Sequence, residues 1–356
     1  MANACGLSCE LCPAAARCGG SSNFCLVGRC KGCESNQLSR MEVRASVIRL
    51  LGGLDLEWPR QVAHHQPRSL PDHLPVLVQA YADSLDMPWV ALHAGRVLGV
   101  TGRGLTPKHR RPLHEVYRLA PRTRLALEFY VEDRVLEGLW ANRRCVIREL
   151  KQLDLDLVLS PNFSVWRDHS RFEQLVQQRR SFAFYHELIE AGLPAIPDVG
   201  WSRFEPDGRH WAEWINGQHD LRAVSIFCGG RKIHAERRAQ RETVEDIALF
   251  HRAVRPDVAF VLGGVHASER LAALRNAAPG RRLVICNGMA YALAQRRRLL
   301  DRSHARSAAR SARECFLRNC AFSDRVYAQL LNQAELHQVQ HGAERNDADV
   351  SNSGTG

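Results

Sequence analysis

A chain of 356 residues with 45% apolar and 24% charged side chains is long enough to bury one large domain with an accessory module. No apolar run approaches the ~18–20 residues that a membrane span requires, and no charged-then-apolar leader opens the chain, so a cytoplasmic protein with no membrane association is expected. The formal charge of +11 comes almost wholly from arginine, since lysine occurs only at Lys31, Lys108, Lys151 and Lys232; such a bias can reflect genome composition, so placement matters more than the total.

Seven of the twelve cysteines lie in the first stretch of chain: Cys5, Cys9, Cys12, Cys18, Cys25, Cys30 and Cys33. Thiolate chelation needs cysteines a few residues apart, so that a turn aims several sulfurs at one centre. Cys5, Cys9 and Cys12 form C-x3-C-x2-C, and Cys25, Cys30 and Cys33 form C-x4-C-x2-C. Each triad lacks one ligand for a closed four-thiolate site, and Cys18 can complete only one of them. A disulfide framework would need an oxidising compartment, and the clustered count is odd. The segment 1–40 is therefore read as a metal module holding zinc or an iron–sulfur cluster ([4Fe–4S]), which spacing does not separate.

The run CGLSCELCP followed by CKGC resembles a small cysteine-rich module of bacterial proteins, and the resemblance implies metal ligation without a reaction. C-x3-C-x2-C is also the signature of radical S-adenosylmethionine enzymes. In those it follows the first barrel strand, whereas only Met1–Ala4 precede Cys5 here. The radical reading is kept as an alternative.

Next in the chain, Met41–Leu51 has the spacing of a helix, with Val43, Val47, Ile48 and Leu51 on one face and Gly52-Gly53 as its stop. Gln61–Asp72 reads as a loop and Leu74–Ser84 as a helix, which makes 41–85 a helical linker. From Pro88 onward short apolar runs alternate with amphipathic segments. The expected strands are Trp89–Leu92, Leu125–Tyr130, Leu155–Leu159, Ala195–Val199, Ala223–Phe227, Val258–Leu262 and Arg282–Cys286, with Val97–Val100 as a further candidate. Between the later ones lie the helical stretches Phe182–Ala191, Arg241–Val254 and Glu269–Ala277. Apolar runs separated by helices imply a parallel sheet buried on both faces. Their number over 86–300 fits an α/β fold of the (β/α)8 TIM-barrel type better than the alternative, a doubly wound sheet. Basic helices are expected over 301–345 and a disordered tail over 346–356.

In a barrel the reactive side chains collect at the C-terminal ends of the strands. Asp198, in Ile-Pro-Asp-Val-Gly-Trp, is the first choice for a catalytic carboxylate, because its apolar setting raises a carboxyl pKa. Glu128 is its candidate partner and His266 a candidate base. Gly263-Gly264 and Asn287-Gly288 lie in consecutive turns between strand and helix, where backbone N–H groups can meet a phosphate, although glycines also simply make tight turns. Cys228 beside Gly229-Gly230 is a nucleophile, a last metal ligand or, as free cysteine more often is, a buried inert thiol. Arg298, Arg302, Arg306 and Arg310 recur every four residues, which on a helix makes one basic stripe suited to a nucleic-acid backbone or to plain solvation.

A second resemblance rests on Ser160-Pro161-x-Phe163-Ser164, an arginine at Arg179 or Arg180, Gly192, Ile196-Pro197 and Trp201. Over about 150–290 the chain resembles domain of unknown function 4417, a family of bacterial, archaeal and phage proteins. The resemblance implies a barrel-like frame and an association with mobile elements. That family usually has aspartate where this chain has Asn162. A barrel with a metal module also loosely resembles the base-exchanging tRNA transglycosylases, whose C-terminal Cys-x-Cys-x-x-Cys motif this chain lacks. The combined expectation is a barrel enzyme that modifies or exchanges a base on a nucleotide or nucleic acid. The alternative is a non-catalytic nucleic-acid- or partner-binding protein with a structural metal.

Overall fold

The computed structural model describes residues 41–58, 63, 66–67, 69–165, 171–201, 204–229, 236–265, 267–300 and 310–330. Eight parallel strands alternate with helices: β1 (His73–Leu77), β2 (Trp89–His93), β3 (Arg124–Glu128), β4 (Leu157–Leu159), β5 (Ala195–Ile196), β6 (Ala223–Phe227), β7 (Ala259–Gly263) and β8 (Leu283–Asn287). They hydrogen-bond in the order β5-β4-β3-β2-β1-β8-β7-β6, so the first and last strands are neighbours. The two ends of this sheet meet at a parallel bridge between Asp198 and Ser225. Ser225 N–H donates to Pro197 O (2.8 Å), and Val199 N–H donates to Ser225 O (2.8 Å). The result is a nearly closed (β/α)8 barrel, which excludes the doubly wound alternative.

Alternation along each strand divides the apolar side chains between two cores. Leu74, Val76, Trp89, Ala91, Ala126, Leu157, Ile196, Val261, Val284 and Cys286 fill the barrel interior. Val90, Leu92, Leu125, Leu127, Val224, Phe260, Leu262 and Ile285 face the surrounding helices and form the larger core with them. Strands buried on both faces carry continuous apolar runs, which is why most of them are recognisable in the sequence.

Two expected elements are corrected. Leu74–Ser84 was expected to be helical, but His73–Leu77 is β1, so the barrel begins ahead of residue 86 and 41–85 is not a wholly helical linker. The spacing of Leu74, Leu77 and Tyr81 imitates a helix, but Leu74 and Val76 face the interior and Leu77 the helix layer. Val97–Val100 is not a strand: Ala94–Val97 is a short helix that follows β2 directly.

Met41–Leu51 is helical as expected, and the chain turns away through Gly52 (φ 66°) and Gly53 (φ 112°), a left-handed pair that glycine adopts without strain. Val47, Ile48 and Leu51 pack with Phe172, Leu175 and Val176 of the helix Arg171–Glu190. Arg179 fastens the join, donating from Nε to Leu51 O (2.9 Å) and from Nη1 to Asp55 O (2.6 Å) and Glu57 O (2.5 Å). Its neighbour Arg180 instead pairs with Glu137 (2.7 Å) and lies over the Phe163 ring at 4.3 Å. At the other end of the chain, residues 312–330 form a helix that buries Cys315, Phe316, Cys320 and Tyr327 against the barrel.

Candidate active site at the mouth of the barrel

The interior side chains at the C-terminal strand ends are polar. His93 ends β2 and Glu128 ends β3, and the two residues are paired in register. His93 Nδ1–H donates to Glu128 Oε1 across 2.5 Å, and the Tyr130 backbone N–H donates to Oε2 across 2.7 Å. Both carboxylate oxygens are thereby engaged. The His93 side chain is 28% exposed and that of Glu128 only 3%, so the imidazole reaches solvent and the carboxylate orients it from below. Nε2 faces Gly95, where a Cβ would lie only 3.0 Å away, so the missing side chain keeps that ring edge clear.

Asp198 lies on the other side of Tyr130 and is 2% exposed. Burial pushes its carboxyl up to about 8, against contacts from Ser225, Tyr130 and Asn162 that favour the ionised form. The clearest of these contacts is Ser225 Oγ–H donating to Asp198 Oδ2 at 2.9 Å. The Tyr130 hydroxyl lies against the carboxyl and is itself buried, without a hydrogen bond of ordinary geometry. Burial together with the nearby Asp198 and Glu128 charges raises the Tyr130 phenol well above its usual range. Tyr130 thus touches both expected carboxylates, Glu128 through its backbone N–H and Asp198 through its hydroxyl. They do not pair with each other: Glu128 pairs with His93, and Asp198 with Ser225.

Tyr130 is fixed by stacking on Phe227, with ring centroids 4.8 Å apart and planes at 27°. Glycines make room for both rings. A Cβ on Gly263 would fall 2.3 Å from Tyr130 Cε2, and one on Gly264 would fall 2.9 Å from Phe227 Cε2. Packing of these rings accounts for the Gly-Gly pair. The Gly264 N–H, expected to face a phosphate, already donates to Cys286 O (3.3 Å).

Asn287 does not face the mouth. Cys286 points inward, and alternation turns Asn287 outward. Its Nδ2 donates to Val265 O (3.0 Å) and to Tyr327 Oη (2.9 Å), while its Oδ1 accepts from Met289 N–H (3.2 Å). It ties β8 to the loop after β7 and to the helix 312–330. Gly288 caps a helix of seven residues, Met289–Gln295. The phosphate cradle expected from Gly264 and Asn287 is thus replaced by internal bonds. Cys228 also points away from the mouth, into the core shared with the helices, and burial pushes its thiol up to about 12. Its burial fits the reading of a buried thiol.

The arginine stripe needs one unbroken helix, and its two described ends do not lie on one. The helix Met289–Gln295 stops before Arg298, with Arg297 left-handed at φ 52°, and Arg310 precedes the helix 312–330. Arg302, Arg306 and His266 lie outside the described residues, as do all seven N-terminal cysteines and the 346–356 tail. Among the described residues no group of three or more His, Cys, Asp or Glu side chains is placed to hold a metal ion, and no helix is long and apolar enough to cross a membrane.

His93 and Tyr130 are the site residues that sequence reasoning missed. His93 is the first polar residue after the run Trp89–Leu92, so the rule that finds Asp198 also finds it when applied to that strand. Tyr130 was hidden as the last residue of an apolar run.

No curated protein matches the chain. Residues 111–265 match a family model, a span that begins ahead of residue 150, ends ahead of residue 290 and leaves the cysteine-rich segment outside it. The match takes in Glu128, Tyr130, Asn162, Asp198, Ser225 and Phe227 but not His93. Over this span the chain resembles the domain of unknown function DUF4417.

Proposed function

We propose that the barrel mouth is the active centre of an acid–base enzyme. The observation that carries this reading is a solvent-reaching imidazole oriented by a buried carboxylate, at the same end of the barrel as a second carboxyl held neutral by burial. Groups whose environments push their proton affinities apart can take opposite roles at one pH. His93, oriented by Glu128, takes a proton from an attacking water or hydroxyl. Asp198 keeps a proton at neutral pH and is the acid that supplies it to the leaving group.

The substrate class that this pairing supports is a nucleotide or nucleic acid undergoing base modification or base exchange. A departing heteroaromatic base leaves most readily when it is protonated, and the incoming group must lose a proton, so one acid and one base are both required. The net charge of +11 favours a phosphate-bearing substrate. Gly264 and Asn287 are assigned no phosphate contact. Cys5, Cys9, Cys12, Cys18, Cys25, Cys30 and Cys33 offer an all-thiolate donor set for zinc or an iron–sulfur cluster. Its role would be to stabilise, dock or relay electrons, apart from the acid–base step.

The test is incubation of the full chain with a panel of nucleotides and short RNAs together with labelled free bases, scoring base release and exchange. Turnover by the wild type that falls about 10²–10⁴-fold in His93→Gln supports the reading. Absence of turnover on the whole panel, or turnover that His93→Gln and Asp198→Asn leave unchanged, contradicts it.

A further inference from the structure

Among the described residues, Phe227 is the one aromatic ring in the set of large apolar side chains that stay exposed, at 38%. A single exposed apolar side chain ordinarily needs no explanation. Phe227 differs in where it is and how it is held. It shares the inward face of β6 with Ser225, the residue that bonds Asp198. Two residues along a strand is about 7 Å, so the ring stands one strand repeat above the Asp198 carboxyl. One face is covered by Tyr130 at 4.8 Å. Gly229 and Gly264 meet only the tip of the ring, at Cζ and Cε2, and any side chain at either position would collide with it. The ring is thus covered by Tyr130 on one face and held at its tip, and more than a third of the residue still reaches solvent.

We propose that Phe227 is a stacking platform and that the substrate carries a planar heteroaromatic ring of the nucleobase type. This rests on the acid–base reading of the same mouth and narrows its substrate. A flat π-face, with the partly exposed Tyr130 ring behind it, receives a planar ring in offset stacking at little entropic cost, because the platform is already fixed. The Asn162 amide, partly exposed and in contact with the Asp198 carboxyl, carries donors and an acceptor of the kind that read the polar edge of a base.

The test is calorimetric titration of the full chain with uracil, adenine and dihydrouracil, the last keeping the polar edge of uracil without its aromatic ring. The wild type is expected to bind a planar base and to bind dihydrouracil more weakly than uracil. Phe227→Leu should weaken binding of the planar base about tenfold, and Phe227→Tyr should retain it. The variants' circular dichroism confirms that they are folded. Failure of both planar bases to bind, equal binding of uracil and dihydrouracil, or unchanged affinity in Phe227→Leu overturns the proposal. Failure of the acid–base reading shows differently. In that case ring binding still depends on Phe227, while His93→Gln and Asp198→Asn leave turnover unchanged.

Discussion

Ser225 Oγ–H donates to Asp198 Oδ2 across 2.9 Å at the one point where β5 and β6 bridge to close the barrel. The same two residues therefore complete the sheet and hold the buried acid. Closure brings Asp198 into the interior, where loss of water raises its carboxyl, and it aligns Phe227 on the same inward face of β6. The geometry of the acid and the integrity of the barrel depend on each other.

That coupling gives stability a defined pH dependence. The Asp198 carboxyl stands near 8 in the folded chain against 3.8 when unperturbed. Between those values the folded state holds a proton that the unfolded state has released. Its contribution is complete below the unfolded value and is lost as pH rises through the window, by about 1.4 kcal/mol per unit at the steepest. Asp198→Asn carries no such proton. Its stability relative to the wild type is expected to rise steadily from acid to pH 8 and then level off, as measured by urea denaturation across that range. A difference that stays constant with pH would mean that Asp198 is not held neutral.

The His93–Glu128 pair makes a prediction about truncation. His93→Ala leaves Glu128 Oε1 buried without its 2.5 Å partner. The expected loss is about 1–3 kcal/mol, most of it the cost of an unsatisfied buried acceptor. Glu128→Gln should cost less, because its amide group still offers an acceptor to the Tyr130 N–H. Denaturant melts of both variants check the order, and the reverse order would show that the pair is not the main interaction of Glu128.

Glycines at the strand ends should separate into those the rings require and those they do not. Gly263→Ala places a Cβ 2.3 Å from Tyr130 Cε2 and must displace a ring stacked on Phe227. A loss of about 1–3 kcal/mol is expected. At Gly288 the nearest atom to a Cβ is Val76 Cβ at 3.8 Å, so Gly288→Ala should be neutral or slightly stabilising. Thermal melts of the two variants make the comparison, and equal tolerance would mean that the tyrosine is free to move.

Most of the barrel was readable in the sequence because seven of its eight strands, β2 to β8, are apolar runs, and Ala223–Phe227 coincides with β6 residue for residue. β1 was missed because His73–Leu77 carries Pro75 and is followed by Tyr81 at helical spacing, so local pattern and tertiary placement disagree. Asp198 was legible, since a carboxylate after an apolar strand has a forced environment. Glu128 was legible as a position but not as the partner of His93, because pairing across β2 and β3 depends on register. Asn287 looked like a mouth residue until alternation turned it outward toward Tyr327. The arginine stripe assumed an unbroken helix, and the left-handed residue Arg297 follows a helix already ended at Gln295.

The N-terminal cysteines carry a prediction independent of the barrel. Protein purified without oxygen should hold zinc or iron with sulfide in a fixed ratio to chain. Cys12→Ser should reduce that content, while Cys228→Ser, a change in the helix-facing core, should not. Elemental analysis and the visible absorption spectrum decide it, and metal content unaffected by Cys12→Ser would remove Cys12 from the ligand set.

The most direct test of the acid–base reading is a carbon-13 NMR titration of the aspartate side-chain carboxyls in wild type and Asp198→Asn. One carboxyl should titrate near pH 8, and its signal should be missing from the variant. If every aspartate carboxyl of the wild type titrates in the ordinary acid range, Asp198 is ionised at neutral pH and cannot be the proton donor of this site.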